Sequence, residues 1–256
     1  LCSARNDSSR SSNPVDFLVS GVFAAHFVNT VSPRFLEEIV AGHHDFVESP
    51  LRQQLINKAD AQCAAGILNA PDPAFNPAND RNLKACYTPA IHRESKRANK
   101  LELQKKLGLV ADARAPLFFW PSRLDPVQKG CELLANIFYD VISTYWDDNL
   151  QVVFVANGEY QSVFRNIVRF HDLHQRVAVC DFSEDLEHLS YGAADFVLMP
   201  SRFEPCGLPQ MIAPIYGALT VANDTGGLHN TVEHLNVETS SGNGFIFQHY
   251  DANGLF

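Results

Sequence analysis

The sequence predicts an α/β chain built on a Rossmann-like parallel sheet with helices covering both faces. Three observations carry that expectation. Short apolar runs recur at 117–120, 152–156, 176–180, 196–199, 219–222 and 244–247. Segments of helical period lie between them, at Cys131 to Ile142, Gln161 to Phe170 and Asp185 to Ala193. Strands alternating with helices in this way suit right-handed βαβ units, whose strands read as continuous apolar runs because both faces are buried. Finally, Phe196-Val197-Leu198-Met199-Pro200 delivers a Pro/Gly-rich turn holding the carboxylate Glu204, after which the chain resumes as an apolar helix. Ligands of open α/β sheets bind at such turns, at the carboxyl ends of the strands.

The elements upstream are less regular. Residues 1–14 are rich in Ser, Asn and Arg and poor in apolar residues, so a flexible segment is expected. Residues 15–41 read as a helix, a short strand from Phe27 to Val31, and a helix capped at Ser32-Pro33. Gly66 to Leu68 reads as a short strand running into a Pro-rich loop that ends near residue 80. Residues 81–106 are basic and read as a solvated helix; a phosphate-binding role is the lesser reading of this stretch. No G-x-G-x-x-G is present, and Asn157-Gly158-Glu159 is the nearest approach to one.

Composition narrows the function classes. With 256 residues, of which 46% are hydrophobic, the chain can bury one or two sizeable cores. A formal charge of −9 argues against general nucleic-acid binding, which draws on clustered Lys and Arg. Any anion must then be held locally, by a few placed cations. No apolar run is long enough to span a membrane. The six cysteines, Cys2, Cys63, Cys86, Cys131, Cys180 and Cys206, show neither C-x-x-C nor metal-ligand spacing, and read as reduced thiols of an intracellular protein. His43-His44 and His171/His174 lack partnering ligands, so no metal site is expected.

The turn at 201–208, Ser-Arg-Phe-Glu-Pro-Cys-Gly-Leu, resembles the signature of bacterial glycogen synthases and plant starch synthases. Val28-Asn29-Thr30-Val31-Ser32-Pro33, Gly66 to Pro73 (Gly-Ile-Leu-Asn-Ala-Pro-Asp-Pro), Ser122-Arg123-Leu124 with Gln128-Lys129-Gly130, Thr225-Gly226-Gly227-Leu228 and Gly244-Phe245-Ile246-Phe247 recur in that family in this order. The resemblance implies a GT-B fold, with residues 116–256 as the nucleotide-sugar-binding domain truncated at its C-terminus. By the same resemblance residues 15–65 form the tail of the preceding, acceptor-side domain, and 66–115 a hinge and linker helix. It implies a retaining glucosyltransferase that takes glucose from ADP-glucose, or UDP-glucose, to the non-reducing end of an α-1,4-glucan. No cofactor is implied. The location implied is the bacterial cytoplasm, or the plastid stroma in a plant or alga. As a fragment, the chain is expected to be inactive alone. Other readings are a non-catalytic nucleotide-sugar or glucan binding module, and a GT-B transferase for a different acceptor.

Transfer from a nucleotide diphosphate needs the phosphates neutralised, the sugar oriented and the base held. Arg123 and Lys129, just after the first strand of the regular region, are candidates for the diphosphate, their alternative being a solvated loop. The resemblance gives this Arg-to-Lys gap one residue more than is usual, with Val127 as the insertion. Glu204 is either a nucleophile of a double displacement or, as the resemblance implies, a group that orients glucose and favours positive charge at the anomeric carbon. Cys206, Gly207 and Leu208 would offer backbone to the sugar. Pro209 replaces a Thr usual in the family. Thr225, Gly226 and Gly227 form an anion-receptive turn. Phe182 matches a position whose ring stacks on the base, and equally reads as a core residue at a strand end.

Overall fold

The computed structural model describes residues 15–256, so the segment expected to be flexible, 1–14, lies outside the described residues. The described residues divide into two compact units, the first ending at Ile67 and the second running from Leu68 to Phe256.

In the first unit, α1 (Phe17–Ala24), β1 (Val28–Thr30), α2 (Pro33–Ala41), α3 (Ser49–Asp60) and β2 (Ala64–Gly66) follow in order. Ser32 caps α2 by accepting from the Phe35 amide at 3.0 Å, with Pro33 in the first turn. Strands β1 and β2 pair in parallel, Val28 opposite Ala64 and Thr30 opposite Gly66. The strand expected at Gly66–Leu68 therefore lies two residues earlier. Register on β1 decides this: pairing ends with the Ile67 amide on the Thr30 carbonyl, and the chain then leaves for the Pro-rich loop.

The second unit holds α4 (His92–Leu107), β3 (Leu117–Trp120), α5 (Cys131–Thr144), β4 (Gln151–Val155), α6 (Gln161–Phe170) and β5 (Val177–Cys180). It continues with α7 (Glu184–Ala193), β6 (Phe196–Met199), α8 (Pro209–Ile215), β7 (Leu219–Asn223), α9 (Gly226–Thr231), β8 (Gly244–Phe247) and α10 (Ala252–Leu255). All six strands are parallel, in the order β5-β4-β3-β6-β7-β8. This is the doubly wound order, and its direction reverses between β3 and β6. Alternate strand residues feed two cores. Leu117, Phe119, Val153 and Val197 pack with Leu103 of α4, Leu186 and Leu189 of α7 and Ile212 of α8. Trp120, Val152, Phe154 and Leu198 pack with Leu134 and Phe138 of α5 and Phe164 of α6.

The basic stretch differs from its expected form. Its helix begins only at His92, because Pro89 and the turns around Asp80 occupy the preceding residues. One face is buried rather than solvated, and its polar groups are all matched. Asn99 exchanges two hydrogen bonds with the backbone of Ala85, both 2.9 Å. Lys100 reaches the Ala115 carbonyl at 2.9 Å and Asp195 at 2.5 Å, while Gln104 donates to the Asp112 carbonyl and to Gln151. These contacts splint α4 to the sheet, and leave Lys100 committed to protein partners rather than to phosphate.

A second buried network holds the loop before α4. Asp80 Oδ2 accepts from Tyr216 Oη at 2.5 Å and lies 2.8 Å from His188 Nδ1. The His188 ring is stacked on Phe75 at 4.5 Å, and Tyr87 Oη donates to the Tyr216 carbonyl at 2.8 Å.

Candidate active site

Every predicted site residue lies beyond the carboxyl end of a strand, in the connecting loop or the first turn of the next helix, and three of these connections are bound to one another through backbone. The loop after β3 carries Arg123 and Lys129, the loop after β6 carries Glu204 to Leu208, and the connection after β7 carries Thr225 with Gly226 and Gly227 at the start of α9. The first two flank the point where strand order reverses. The Arg202 amide donates to the Gln128 carbonyl at 2.8 Å, joining them. The Gly227 amide donates to the Glu204 carbonyl at 2.8 Å, and Asn223 Nδ2 donates to the Ser201 carbonyl at 2.9 Å, joining the third. A Cβ on Gly226 would stand 2.0 Å from the Glu204 carbonyl oxygen, and one on Gly227 2.0 Å from that of Cys206. Only glycine permits this approach.

The side chains of Lys129 and Glu204 meet at its centre. Lys129 Nζ lies 2.6 Å from Glu204 Oε2, and the two side chains are 11% and 6% exposed. Ser201 Oγ donates to the same oxygen at 3.0 Å. Glu204 Oε1 has no hydrogen-bond partner among the described residues. The loop from Arg123 to Lys129 is held by a turn at Asp125. Asp125 Oδ1 accepts from the amides of Val127 and Gln128, at 2.9 and 2.8 Å, and Val127 is turned outward, 66% exposed. Arg123 is exposed, and its guanidinium has no partner among the described residues.

Cys206 is buried, and its carbonyl accepts from Gln210 Nε2 at 2.9 Å; that amide also reaches the Gly207 carbonyl and Thr231 Oγ1, both 3.0 Å. Gly207 has φ +72°, Leu208 precedes α8, and Pro209 takes its first turn. Thr225 is buried ahead of α9. Phe182 stands apart from this group, after β5, two strands from β3. It is 52% exposed, which removes the core reading and leaves its ring open to a ligand. Asn157 Oδ1 accepts from the Phe182 amide at 3.0 Å. Beside it, hydrogen bonds from Gln161 and Arg165 hold the Asp181 carboxyl below its ordinary range.

Sequence reasoning missed Ser201, Asn157, Asn223 and Gln210. Ser201 heads the motif and Gln210 stands two residues beyond Leu208, where the same stretch becomes helix, while Asn157 sits in the Asn157-Gly158-Glu159 turn; no local signal marks Asn223. Among the described residues no cluster of His, Cys, Asp or Glu is suited to a metal ion, and no helix is long and apolar enough to cross a membrane. A cavity of about 520 Å³ opens beside α5, lined by Phe118, Phe138, Phe196 and Phe245. None of the site residues lines it.

Residues 115–256 match the family model described as glycosyl transferases group 1. Glycogen synthase of Bacillus licheniformis is 36% identical over 245 residues, covering 94% of this chain and 48% of the relative. That of Bacillus subtilis is 35% identical over the same shares. The chain spans about half the length of the curated relatives it matches. Among solved structures, the catalytic domain of starch synthase IV from Arabidopsis thaliana, bound to ADP and acarbose, superposes with a TM-score of 0.80 at 32% identity, over 93% of this chain and 48% of that one. HepE of Anabaena in complex with UDP-glucose gives 0.61 at 21% identity, over 93% and 54%, a likeness of fold. The doubly wound sheet, the loops gathered at its reversal point and the matched family model agree: this chain belongs to the glycosyl transferases of group 1, among relatives that are glycogen and starch synthases.

Proposed function

We propose that this chain carries the donor-binding side of a retaining glucosyltransferase, which moves glucose from ADP-glucose to the non-reducing end of an α-1,4-glucan. The observation that carries the reading is the buried Lys129–Glu204 pair at the strand-order reversal, where a carboxylate and a cation come together and one carboxylate oxygen stays free. Arg123, exposed and unpaired, and Lys129 would neutralise the diphosphate as it departs. Glu204 would orient the glucose and favour positive charge at the anomeric carbon, departure and attack taking place on one face. No second carboxylate is paired with Glu204 among the described residues, which supports this role over that of a nucleophile. Backbone from Cys206, Gly207 and Leu208 would meet sugar hydroxyls, and the Thr225-Gly226-Gly227 turn a phosphate. Phe182 would stack on the base.

The starch synthase bound to ADP supports ADP over UDP as the nucleotide. Likeness to bacterial and plant enzymes supports a cytoplasmic or plastid setting.

Calorimetry with ADP and UDP tests the donor assignment. We expect ADP to bind more tightly than UDP, and Arg123→Ala to weaken ADP about tenfold or more, since charge-assisted contacts to phosphate contribute a few kcal/mol. Unchanged binding by Arg123→Ala removes Arg123 from the site. In the full-length protein, Glu204→Gln should reduce kcat far more than it raises KM, because its charge acts in the transition state.

A further inference from the structure

We propose that Lys129 has two stations, Glu204 when the site is free of donor and the diphosphate when it is occupied, and that Ser201 keeps Glu204 aimed while Lys129 moves between them. This rests on the donor-site reading above.

Two donors share one carboxylate oxygen. Lys129 Nζ and Ser201 Oγ both bond Glu204 Oε2, at 2.6 and 3.0 Å, and Oε1 takes neither. The carboxylate is almost fully buried, and a buried carboxylate without a counter-charge is costly. With no donor present, Lys129 supplies that charge. A diphosphate arriving at this turn brings a second, stronger claim on the same ammonium. Lys suits the exchange, being a point charge on a flexible stem. Once Lys129 turns to phosphate, Glu204 keeps one partner on Oε2, the Ser201 hydroxyl.

Ser201 is placed to do this alone. It is buried at 1% exposure, and its carbonyl is anchored by Asn223 Nδ2 at the end of β7. Its hydroxyl thus pins Oε2 from a fixed point of the sheet and leaves Oε1 for the sugar. The Lys129–Glu204 pair itself balances in charge. The carboxylate's negative charge becomes available to the anomeric centre only when a diphosphate has taken the lysine, which links the release of that charge to the presence of donor.

A double-mutant cycle read by calorimetry on the 256-residue chain tests the exchange, with ADP as the probe. Glu204→Gln should tighten ADP roughly three- to tenfold by releasing Lys129, and Lys129→Ala should weaken it about tenfold. In the Lys129→Ala background, Glu204→Gln should change ADP affinity less than twofold. If the gain survives there, it is simple relief of repulsion, and the exchange is wrong. A Glu204→Gln chain that binds ADP less tightly overturns it as well. Lys129→Met replaces Lys129→Ala in the cycle if the latter melts early. For Ser201, ADP-glucose is the second probe. Ser201→Ala should weaken ADP-glucose several-fold and ADP less than twofold, and Ser201→Thr, which keeps the hydroxyl, should retain both. Equal loss for the two ligands, or none, removes Ser201 from this role. Failure of every variant and of the unmodified chain to bind ADP would instead overturn the donor-site reading itself, and the exchange with it.

Discussion

Gly130 lies directly against Pro200. A Cβ at position 130 would stand 1.9 Å from the Pro200 carbonyl oxygen, and Gly130 has φ +75°. This contact sets the Lys129 loop on the Glu204 loop, so the 2.6 Å ion pair depends on an atom that is not there. Gly130→Ala should destabilise the chain by about 2–4 kcal/mol, through left-handed backbone strain and a clash that backbone alone can relieve. Thermal unfolding should fall by roughly 5–15 °C. Melting within a degree or two of the unmodified chain would show that the two loops are free to separate.

Phe182 offers a cleaner separation of binding from folding. Because its side chain is half exposed, Phe182→Ala should leave the melting temperature nearly unchanged while weakening ADP about tenfold. Phe182→Tyr should bind as the unmodified chain does. Calorimetry and thermal melting on the same samples decide it, and ADP affinity unaffected by Ala would take the base away from this ring.

Asp80 should behave in the opposite sense. Its Oδ2 serves both His188 and Tyr216 in the interior, so Asp80→Ala strands two buried polar groups. A loss of about 2–5 kcal/mol is expected in chemical denaturation. Any fall in ADP affinity should disappear under conditions that keep the variant folded.

Lys96 gives stability a pH dependence. Its ammonium donates to the Tyr216 carbonyl at 2.8 Å, and burial, partly countered by Asp195, lowers its pKa to about 8. Below pH 8 the lysine is charged in both folded and unfolded chains, and the cost of burying that charge is fully present. Between pH 8 and the ordinary lysine value the unfolded chain binds more protons, so this cost is relieved as pH rises. Lys96→Met should therefore stabilise the chain by about 1 kcal/mol at pH 7, allowing for partial exposure and the lost hydrogen bond. The advantage should shrink from pH 8 to 10 in paired denaturation curves. A constant difference across that range would mean that Lys96 keeps its charge throughout.

How far the sequence reveals this protein depends on whether a feature is local. The six strands of the large sheet were legible because each is written as a short, mostly apolar run; Val152-Val153-Phe154-Val155, buried throughout, has no other reading in a chain of this kind. Glu204 was legible because its turn packs a carboxylate, a proline and a glycine into four residues. The segment from 76 to 107 was not. Its start and its buried face are fixed by partners far along the chain, such as His188, which lies 108 residues from Asp80. The pairing of Lys129 with Glu204 spans 75 residues, and no local pattern reports it. Phe182 was ambiguous because an aromatic after a strand suits either a core or a ligand, and only its exposure separates the two.

The glycines at 226 and 227 and the contact at 130 carry a lesson for engineering. The site is framed by main chain seated on main chain, so none of its three loops can be exchanged singly. A graft that brought in a foreign Glu204 loop would need the matching turn after β7 and the matching entry to α5, moved as one block. Alterations confined to outward-facing positions, Val127 and Phe182 among them, leave that frame untouched. Attempts to retune ligand preference should therefore begin at the rim and spare the hinges on which the loops meet.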